Sequence, residues 1–153
     1  MITEKQQGKT KPELYQMLEA IDKADSREEA VKLVKGYGSS YQAFNDYLRC
    51  IFDENIQFAL PKGRPPYTPS SGASVPSTWH KKHLQLKYFV KGLGLDDMNQ
   101  IKRESMFIQM LEAIHPDDAL HISLIASKEC KVSGLNADVI DEALPGLLQN
   151  KSK

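Results

Sequence analysis

The chain has 153 residues, of which 41% are hydrophobic and 26% are charged, and its 20 Lys and Arg balance 20 Asp and Glu. This length is usual for one domain, and the composition is far from that of a disordered chain. Balanced charge excludes a global field that would attract nucleic acid or an acidic membrane, so any nucleic-acid contact has to be local. We expect a single domain over residues 1–153.

Neither a membrane span nor a signal peptide is recognisable. The longest apolar runs have only a few residues, whereas a transmembrane helix needs roughly 20, and the first residues lack an apolar stretch. Cys50 and Cys130 form no C-x-x-C pair and no zinc spacing, which favours free thiols in a reducing compartment. We expect a cytoplasmic protein with a flexible tail over residues 1–10 and a frayed tail over residues 149–153.

Three helices are predicted in the first third of the chain. Residues 11–24 carry an apolar stripe at helical spacing. Ser26 begins a capping-box pattern, and the helix behind it is expected to end at Gly36 and Gly38. A third helix begins near Ser39. Its aromatic face is predicted to pack in the core and consists of Tyr41, Phe44, Tyr47, Leu48, Ile51 and Phe52.

Residues 53–78 break the helical pattern, because five of the eight prolines lie between Pro61 and Pro76. A long irregular stretch is commonly functional or disordered. We expect residues 57–60 to pair briefly as a strand and residues 70–77 to form a looser linker. The first half should dock on the core through four apolar side chains, Ile56, Phe58, Leu60 and Tyr67.

Four further helices are predicted after this loop. The first ends at the glycines of residues 92–94, and the second starts near Asp96. Pro116 stops that helix and opens the third, which reaches Ile125, and Asn136 caps the fourth. The seven helices predict an all-α, single-domain irregular bundle with one long Pro-rich loop.

No motif for nucleotide or dinucleotide binding is present, and we predict no cofactor. Gly92 and Gly94 lack the preceding strand and the third glycine of a dinucleotide fingerprint. His80 and His83 have metal-ligand spacing, but neighbouring lysines would oppose a cation, so no metal is expected. Cys50 lies on the core-facing helix, where a buried thiol is inert. We therefore predict that the protein is not an enzyme.

One local group of cations, which we call the basic run, stands out from the balanced background. Cations beside aromatic rings can hold phosphates and stack bases. A solvated helix face is the simpler interpretation, because the chain carries no net charge. The candidate nucleic-acid contacts of this run are Arg64, Trp79, Lys81, Lys82, Lys87, Lys91 and Arg103.

Several ordered pieces of sequence between residues 50 and 148 suggest a family. They are the run 52–58, Leu60-Pro61, the run 65–69, Phe89-Val90, Arg103-Glu104, the run 107–112, His115, Asp118-Ala119 and the run 142–147. In this order they resemble small uncharacterised proteins of T4-type tailed phages, including cyanophages. The resemblance implies a phage-encoded protein in the cytoplasm of an infected bacterium, or in the virion. It brings no established activity, catalytic residue or cofactor.

Two hypotheses for function follow. The first is a non-enzymatic interaction protein that docks on a phage or host protein through the Pro-rich loop, because prolines keep a segment extended before binding. Its predicted contact residues are Phe58, Pro65, Pro66, Tyr67 and Pro69. The alternative is a nucleic-acid-associated accessory protein that uses the basic run. Salt dependence separates the two, because phosphate contacts release counterions.

Overall fold

The structure is a computed structural model that describes residues 11–71 and 75–148. The expected tails, residues 1–10 and 149–153, lie outside the described residues. Seven α-helices are described: α1 (Leu14–Asp22), α2 (Arg27–Ser40), α3 (Gln42–Phe52), α4 (Trp79–Lys82), α5 (Gln100–Ala113), α6 (Pro116–Ile122) and α7 (Ala137–Ala143). Two 3-10 helices, His83–Tyr88 and Ile125–Ser127, accompany them. The described part of the chain contains no β-strand, so the predicted all-α class is confirmed.

One hydrophobic core unites these helices. Helix α2 packs against α1 and α7, α1 and α5 both pack against α6, and α3 packs against α4 and the second 3-10 helix. The predicted aromatic face of α3 is in this core, with Tyr41 and Phe52 half-buried at its two ends. The fully buried side chains of α1 and the buried side chains of that face are Leu14, Met17, Leu18, Ile21, Phe44, Tyr47, Leu48 and Ile51.

Helix α1 begins three residues later than the predicted Lys11. The Tyr15 N–H donates to a carboxylate oxygen of Asp118 on α6 at 2.7 Å, and the Glu13 N–H donates to the side chain of Gln16 at 2.8 Å. Because free N–H groups at a helix start need acceptors, the position of these two acceptors determines where α1 begins.

Helix α2 continues through Gly36 and Gly38, where the sequence predicts its end. Gly38 is needed for packing, because a Cβ atom there would lie 2.5 Å from a methyl carbon of Leu144, just beyond α7. The close approach of α2 to α7 stabilises the last turn of α2, and tertiary packing here overrides the low helix propensity of glycine.

The helix predicted from Trp79 to the glycines at residues 92–94 has only one α-helical turn and then continues as a 3-10 helix to Tyr88. Residues 57–59 of the loop explain its early end. Phe58 forms an isolated antiparallel bridge with Val90, flanked by hydrogen bonds from Ala59 N–H to Phe89 O at 2.7 Å and from Lys91 N–H to Gln57 O at 2.8 Å. The Phe89 carbonyl and the Lys91 N–H are therefore bonded to the loop and are not available to continue the helix.

Further helix boundaries differ from the prediction, and α3 begins at Gln42 instead of near Ser39 because α2 extends through Ser40. Helix α5 begins at Gln100 because Asn99 caps it, accepting from Lys102 N–H at 3.0 Å, whereas Asp96 accepts from Gly92 N–H. Helix α6 ends at Ile122 instead of Ile125, and a 3-10 helix follows. The predicted caps Ser26 and Asn136, and Pro116 as a first residue, are present.

Candidate functional site

The first half of the Pro-rich loop lies against the body of the protein. Leu60 is buried, and the Gly63 N–H donates to the hydroxyl of Ser127 in the second 3-10 helix at 2.7 Å. The Thr68 N–H donates to a carboxylate oxygen of Glu112 on α5 at 2.8 Å. These contacts hold the loop backbone on both sides of the double proline, Pro65-Pro66.

The second half of the loop meets the end of α5. The Ser70 hydroxyl donates to the Ile114 carbonyl at 3.0 Å, and the Ser77 N–H donates to the Ala113 carbonyl at 2.9 Å. Residues 72–74 of the predicted linker lie outside the described residues. The loop is thus attached to the end of α5 both before and after residues 72–74.

Residues 65–69, which we call the Pro-rich segment, contain four of the predicted protein contacts. Pro66 and Pro69 are exposed, whereas Pro65 and Tyr67 are half-buried, and the Tyr67 ring packs against the core. Phe58, the fifth predicted contact, lies outside the Pro-rich segment and has a different structural role. It is half-buried in the bridge to Val90 and has the ammonium of a lysine 5.8 Å from its ring centre.

Trp79, the aromatic residue of the basic run, is in the core and not on the surface. Its side chain is 1% exposed, and the indole N–H donates to the Ala43 carbonyl of α3 at 2.9 Å. Stacking on a base requires an open ring face. The nucleic-acid hypothesis assigns Trp79 the role of a stacking platform. Trp79 cannot take this role unless its contact with α3 is broken.

Arg103 is also buried, with 3% exposure. Its guanidinium donates to the Tyr88 carbonyl at 2.9 Å, to the Leu95 carbonyl at 2.7 Å and to the side-chain oxygen of Gln100 at 2.5 Å. All three guanidine nitrogens are thus engaged by acceptors of the protein. Arg103 holds α5 to the turn after the first 3-10 helix, and it presents no charge to a nucleic acid.

The remaining cations of the basic run do lie at the surface. Arg64, Lys81, Lys87 and Lys91 are exposed, and Lys82 is half-buried. The structure therefore separates the run into a surface group of cations and two buried structural residues. In the surface group, the Lys87 ammonium lies 5.4 Å from the ring centre of the half-buried Tyr88.

A cleft with a volume of about 580 Å³ opens between α3 and the first 3-10 helix, and we call it the α3 cleft. Its apolar wall consists of Ile56, Leu84, Leu86, Val90 and Leu93. Polar and charged side chains form the rest of the lining: Asp46, Arg49, Asp53, Asn55, His83, Lys87 and Lys91. This site brings residues of the Pro-rich loop and of the basic run together with side chains that no sequence motif marks.

One polar contact of the cleft is a hydrogen bond between Asp46 on α3 and His83. One Asp46 oxygen lies 2.5 Å from His83 Nδ1, and the other accepts from the Gln42 amide at 3.1 Å. Since a carboxylate accepts, the proton of this bond belongs to the imidazole. His83 is 8% exposed, so this pair fixes the orientation of the ring.

The cleft holds no activated nucleophile beside this pair. Cys50 is 1% exposed, and burial raises the pKa of its thiol well above the ordinary range, with Asp46 as a second cause. A protonated, enclosed thiol does not attack substrates. Cys50 is therefore not a nucleophile in this cleft.

The histidine pair with metal-ligand spacing is divided between different partners. His80 Nε2 lies 2.8 Å from the Pro12 carbonyl, whereas His83 binds Asp46. Over residues 11–71 and 75–148, no group of three His, Cys, Asp or Glu side chains could hold a metal ion. None of the helices described is long and apolar enough to cross a membrane.

Asp118 forms a second unusual polar site, on the side of α6 that faces α1. It is fully buried, and while one carboxylate oxygen accepts from Tyr15 N–H, the other has no hydrogen-bond partner among the described residues. Burial raises the pKa of Asp118 to about 7, and the nearby charges of Glu13 and Asp117 act in the same direction. The backbone N–H groups of Tyr15 and Leu14 lower the pKa and so oppose them.

A comparison with protein-family models identifies the family. The model of DUF6433, a family of unknown function, matches residues 17–132, and the chain belongs to this family. The match runs from residue 17, within α1, to just beyond the second 3-10 helix, and thus covers the Pro-rich loop and the α3 cleft. Neither the curated proteins nor the solved structures contain a match to the chain.

Two features of these sites are invisible to pattern analysis. Asp46 and His83 are 37 residues apart, and Asp118 and Tyr15 are 103 apart. Asp46 belongs to an ordinary amphipathic helix, and Asp118 sits in a first turn, where an acidic residue is common. Only the fold brings their partners to them.

Proposed function

We propose that this protein is a non-enzymatic interaction protein, encoded by a tailed phage, that docks on a phage or host protein in the cytoplasm of an infected bacterium. One observation carries the proposal. The Pro-rich segment presents Pro66 and Pro69 to solvent, while Gly63 and Thr68 tie the backbone beside it to the body. A segment that is ordered before binding loses little entropy on association.

A protein partner is favoured over a nucleic acid by the positions of two buried residues. Trp79 and Arg103, an aromatic ring and a guanidinium of the basic run, could contact bases and phosphates only from the surface, and both are engaged inside the protein. The cations that remain at the surface, Arg64 and the lysines, attract a polyanion mainly through screened charge. The resemblance of the loop and of α5 to proteins of T4-type phages supports the phage origin.

The proposal is tested by affinity purification of the tagged protein from infected-cell lysate, with and without nuclease, followed by mass spectrometry. Wild type is compared with the double variant Pro66→Ala and Pro69→Ala. Pro145→Ala, which changes an exposed proline outside the loop, is the matched control. Tyr67 is left unchanged, because its ring also packs on the core.

We expect a discrete protein partner that survives nuclease treatment, with recovery about tenfold lower for the double variant and unchanged for the control. Thermal melting of each variant checks that the fold is intact. Recovery that disappears with nuclease would identify a nucleic-acid-associated protein instead. Equal recovery with the double variant would exclude the Pro-rich segment as the docking site.

A further inference from the structure

We propose that the α3 cleft is a second docking site, whose occupant is a protein segment with acidic side chains flanking an apolar one. The inference rests on the proposed function only in taking a protein as the partner. It involves side chains of α3 and the first 3-10 helix, and it does not require the Pro-rich segment. Shape, apolar character and charge of the cleft each contribute to the argument.

The apolar character comes from two exposed leucines on one rim. Leu84 is 68% exposed and Leu93 is 57% exposed, and both border the cleft. Single exposed leucines are common on protein surfaces. Here two exposed leucines border the same cavity, together with the half-buried Leu86 and Val90. These four side chains form a continuous apolar part of the cleft lining.

The backbone keeps Leu93 at this rim. Gly92 and Gly94 on either side have φ values of +85° and +94°, and the Gly92 N–H donates to Asp96 at 2.8 Å. Space does not explain the two glycines, since a Cβ atom at either position would meet nothing within 4 Å. The positive φ angles do explain them. The turn holds an apolar side chain in solvent, as a binding surface requires.

The carboxylates of the cleft already have partners or are buried, whereas its two ammonium groups lie at the surface. Both oxygens of Asp46 are engaged by His83 and Gln42, and Asp53 is 1% exposed. Lys87 and Lys91 are exposed, and no carboxylate of the described residues lies within 4.0 Å of either ammonium group. An approaching ligand therefore meets positive charge that no internal partner neutralises.

These properties define the occupant. A volume of about 580 Å³ suits a few side chains of a short segment and is too small for a folded domain. Leucine, isoleucine or phenylalanine fits the apolar part of the lining, and Asp or Glu on either side would reach Lys87 and Lys91. Apolar burial supplies affinity, whereas the charge pairs supply orientation and selectivity.

The test uses the purified full chain and a displayed library of random twelve-residue peptides. Enriched peptides are synthesised with a fluorescent label and titrated against wild type and the cleft variant Leu84→Ser with Lys87→Glu. The matched control is Leu120→Ser with Lys131→Glu, which changes an exposed leucine and an exposed lysine that line a different cleft. Thermal melting checks each fold, and Lys91→Glu serves as a milder cleft variant.

We expect enriched peptides to carry Asp or Glu within four residues of a large apolar side chain. The Kd should rise at least tenfold for the cleft variant and less than twofold for the control. Replacing the peptide acids by Asn or Gln should weaken binding equally. The double variant Pro66→Ala and Pro69→Ala should bind the peptide as wild type does, which separates this proposal from the previous one.

Three results would overturn the inference. They are no enrichment over the bare support, enriched peptides without acidic residues, and binding that the cleft variant leaves unchanged. A single-stranded twelve-nucleotide DNA that displaces the peptide at lower concentration than unlabelled peptide would assign the cleft to nucleic acid instead.

Discussion

Arg103 and Asp118 are both buried charged side chains, at 3% and 0% exposure, yet the protein accommodates them in opposite ways. All three nitrogens of the Arg103 guanidinium donate to neutral oxygens, which belong to the end of the first 3-10 helix, the turn after it and α5. Asp118 has one engaged oxygen and one without a hydrogen-bond partner among the described residues. A buried charge whose hydrogen bonds are complete contributes to stability, whereas one with an incomplete set tends to become neutral.

Replacing Arg103 should have the largest effect, because it leaves the Tyr88 and Leu95 carbonyls buried without donors. We expect Arg103→Met to lower the free energy of unfolding by about 4 kcal/mol, measured by urea denaturation. Lys102→Met, at the exposed neighbouring position, should change it by less than about 0.5 kcal/mol. A loss below about 1 kcal/mol for Arg103→Met would show that these hydrogen bonds do not stabilise the fold.

Asp118 should make stability depend on pH. Its pKa rises from 3.8 to about 7 on folding, so the folded state binds the proton more tightly. The stability that protonation contributes is fully present below about pH 4 and is lost as the pH rises through about 7. Between pH 5 and pH 8, wild type should lose on the order of 3 kcal/mol more than Asp118→Asn does.

Unfolding curves of both proteins at a series of pH values measure this difference. The amide can still accept from Tyr15 N–H, so the variant removes the charge and keeps the hydrogen bond. Asp97→Asn, at an exposed position before α5, is the matched control, because Asp97 is not among the charges that shift the pKa of Asp118. Parallel pH profiles for wild type and Asp118→Asn would contradict the assignment of this titration to Asp118.

Lys128 extends the comparison to a cation that is only partly buried. Its ammonium donates to the carbonyls of Cys50 and Asp53 at the end of α3, both at 2.9 Å, and burial lowers its pKa. We expect Lys128→Met to cost about 1.5 kcal/mol in thermal or urea unfolding. Lys131→Met, at an exposed position, should cost less than about 0.5 kcal/mol. Equal effects of the two substitutions would show that the helix end needs no lysine.

Gly36 and Gly38 of α2 allow a comparison of two substitutions that change packing and helix propensity but no charge. A Cβ atom at Gly36 would meet nothing within 4 Å. Gly36→Ala should therefore raise the free energy of unfolding by about 0.8 kcal/mol, because alanine has the higher helix propensity. At Gly38 the added methyl would press on Leu144 and on Asn45, and we expect a loss of about 1 kcal/mol. Calorimetry of both variants measures the contrast, and the same sign for both would refute it.

Much of the helical framework is readable from sequence because its signals are local. The cap at Ser26, the first-turn proline Pro116, the cap at Asn136 and the apolar face of α3 each depend on residues within one or two turns. Helix ends were less predictable, since they depend on contacts with distant segments. Leu144 extends α2 past Gly38, and loop residues 57–59 stop the helix after Tyr88.

In the candidate sites, too, local features are readable from the sequence and contacts between distant segments are not. Proline density marks the loop, and the part of the loop that the structure describes is irregular, although its attachment to Ser127 and Glu112 has no sequence signal. Arg103 belongs to a basic run in sequence and to the core in space, because its acceptors are backbone carbonyls, which every residue type has. Side-chain patterns cannot reveal such partners.

The burial of Trp79 also makes its fluorescence a signal for events at α3 and the α3 cleft. It is the single tryptophan of the chain, and its indole N–H binds α3 while its ring lies 6.3 Å, centre to centre, from that of His83 at the α3 cleft. Its fluorescence therefore originates from one place, between the helix and the cleft. Ligands that enter the cleft and denaturants that separate α3 from α4 will both register there, so occupancy and unfolding can be followed in unlabelled protein.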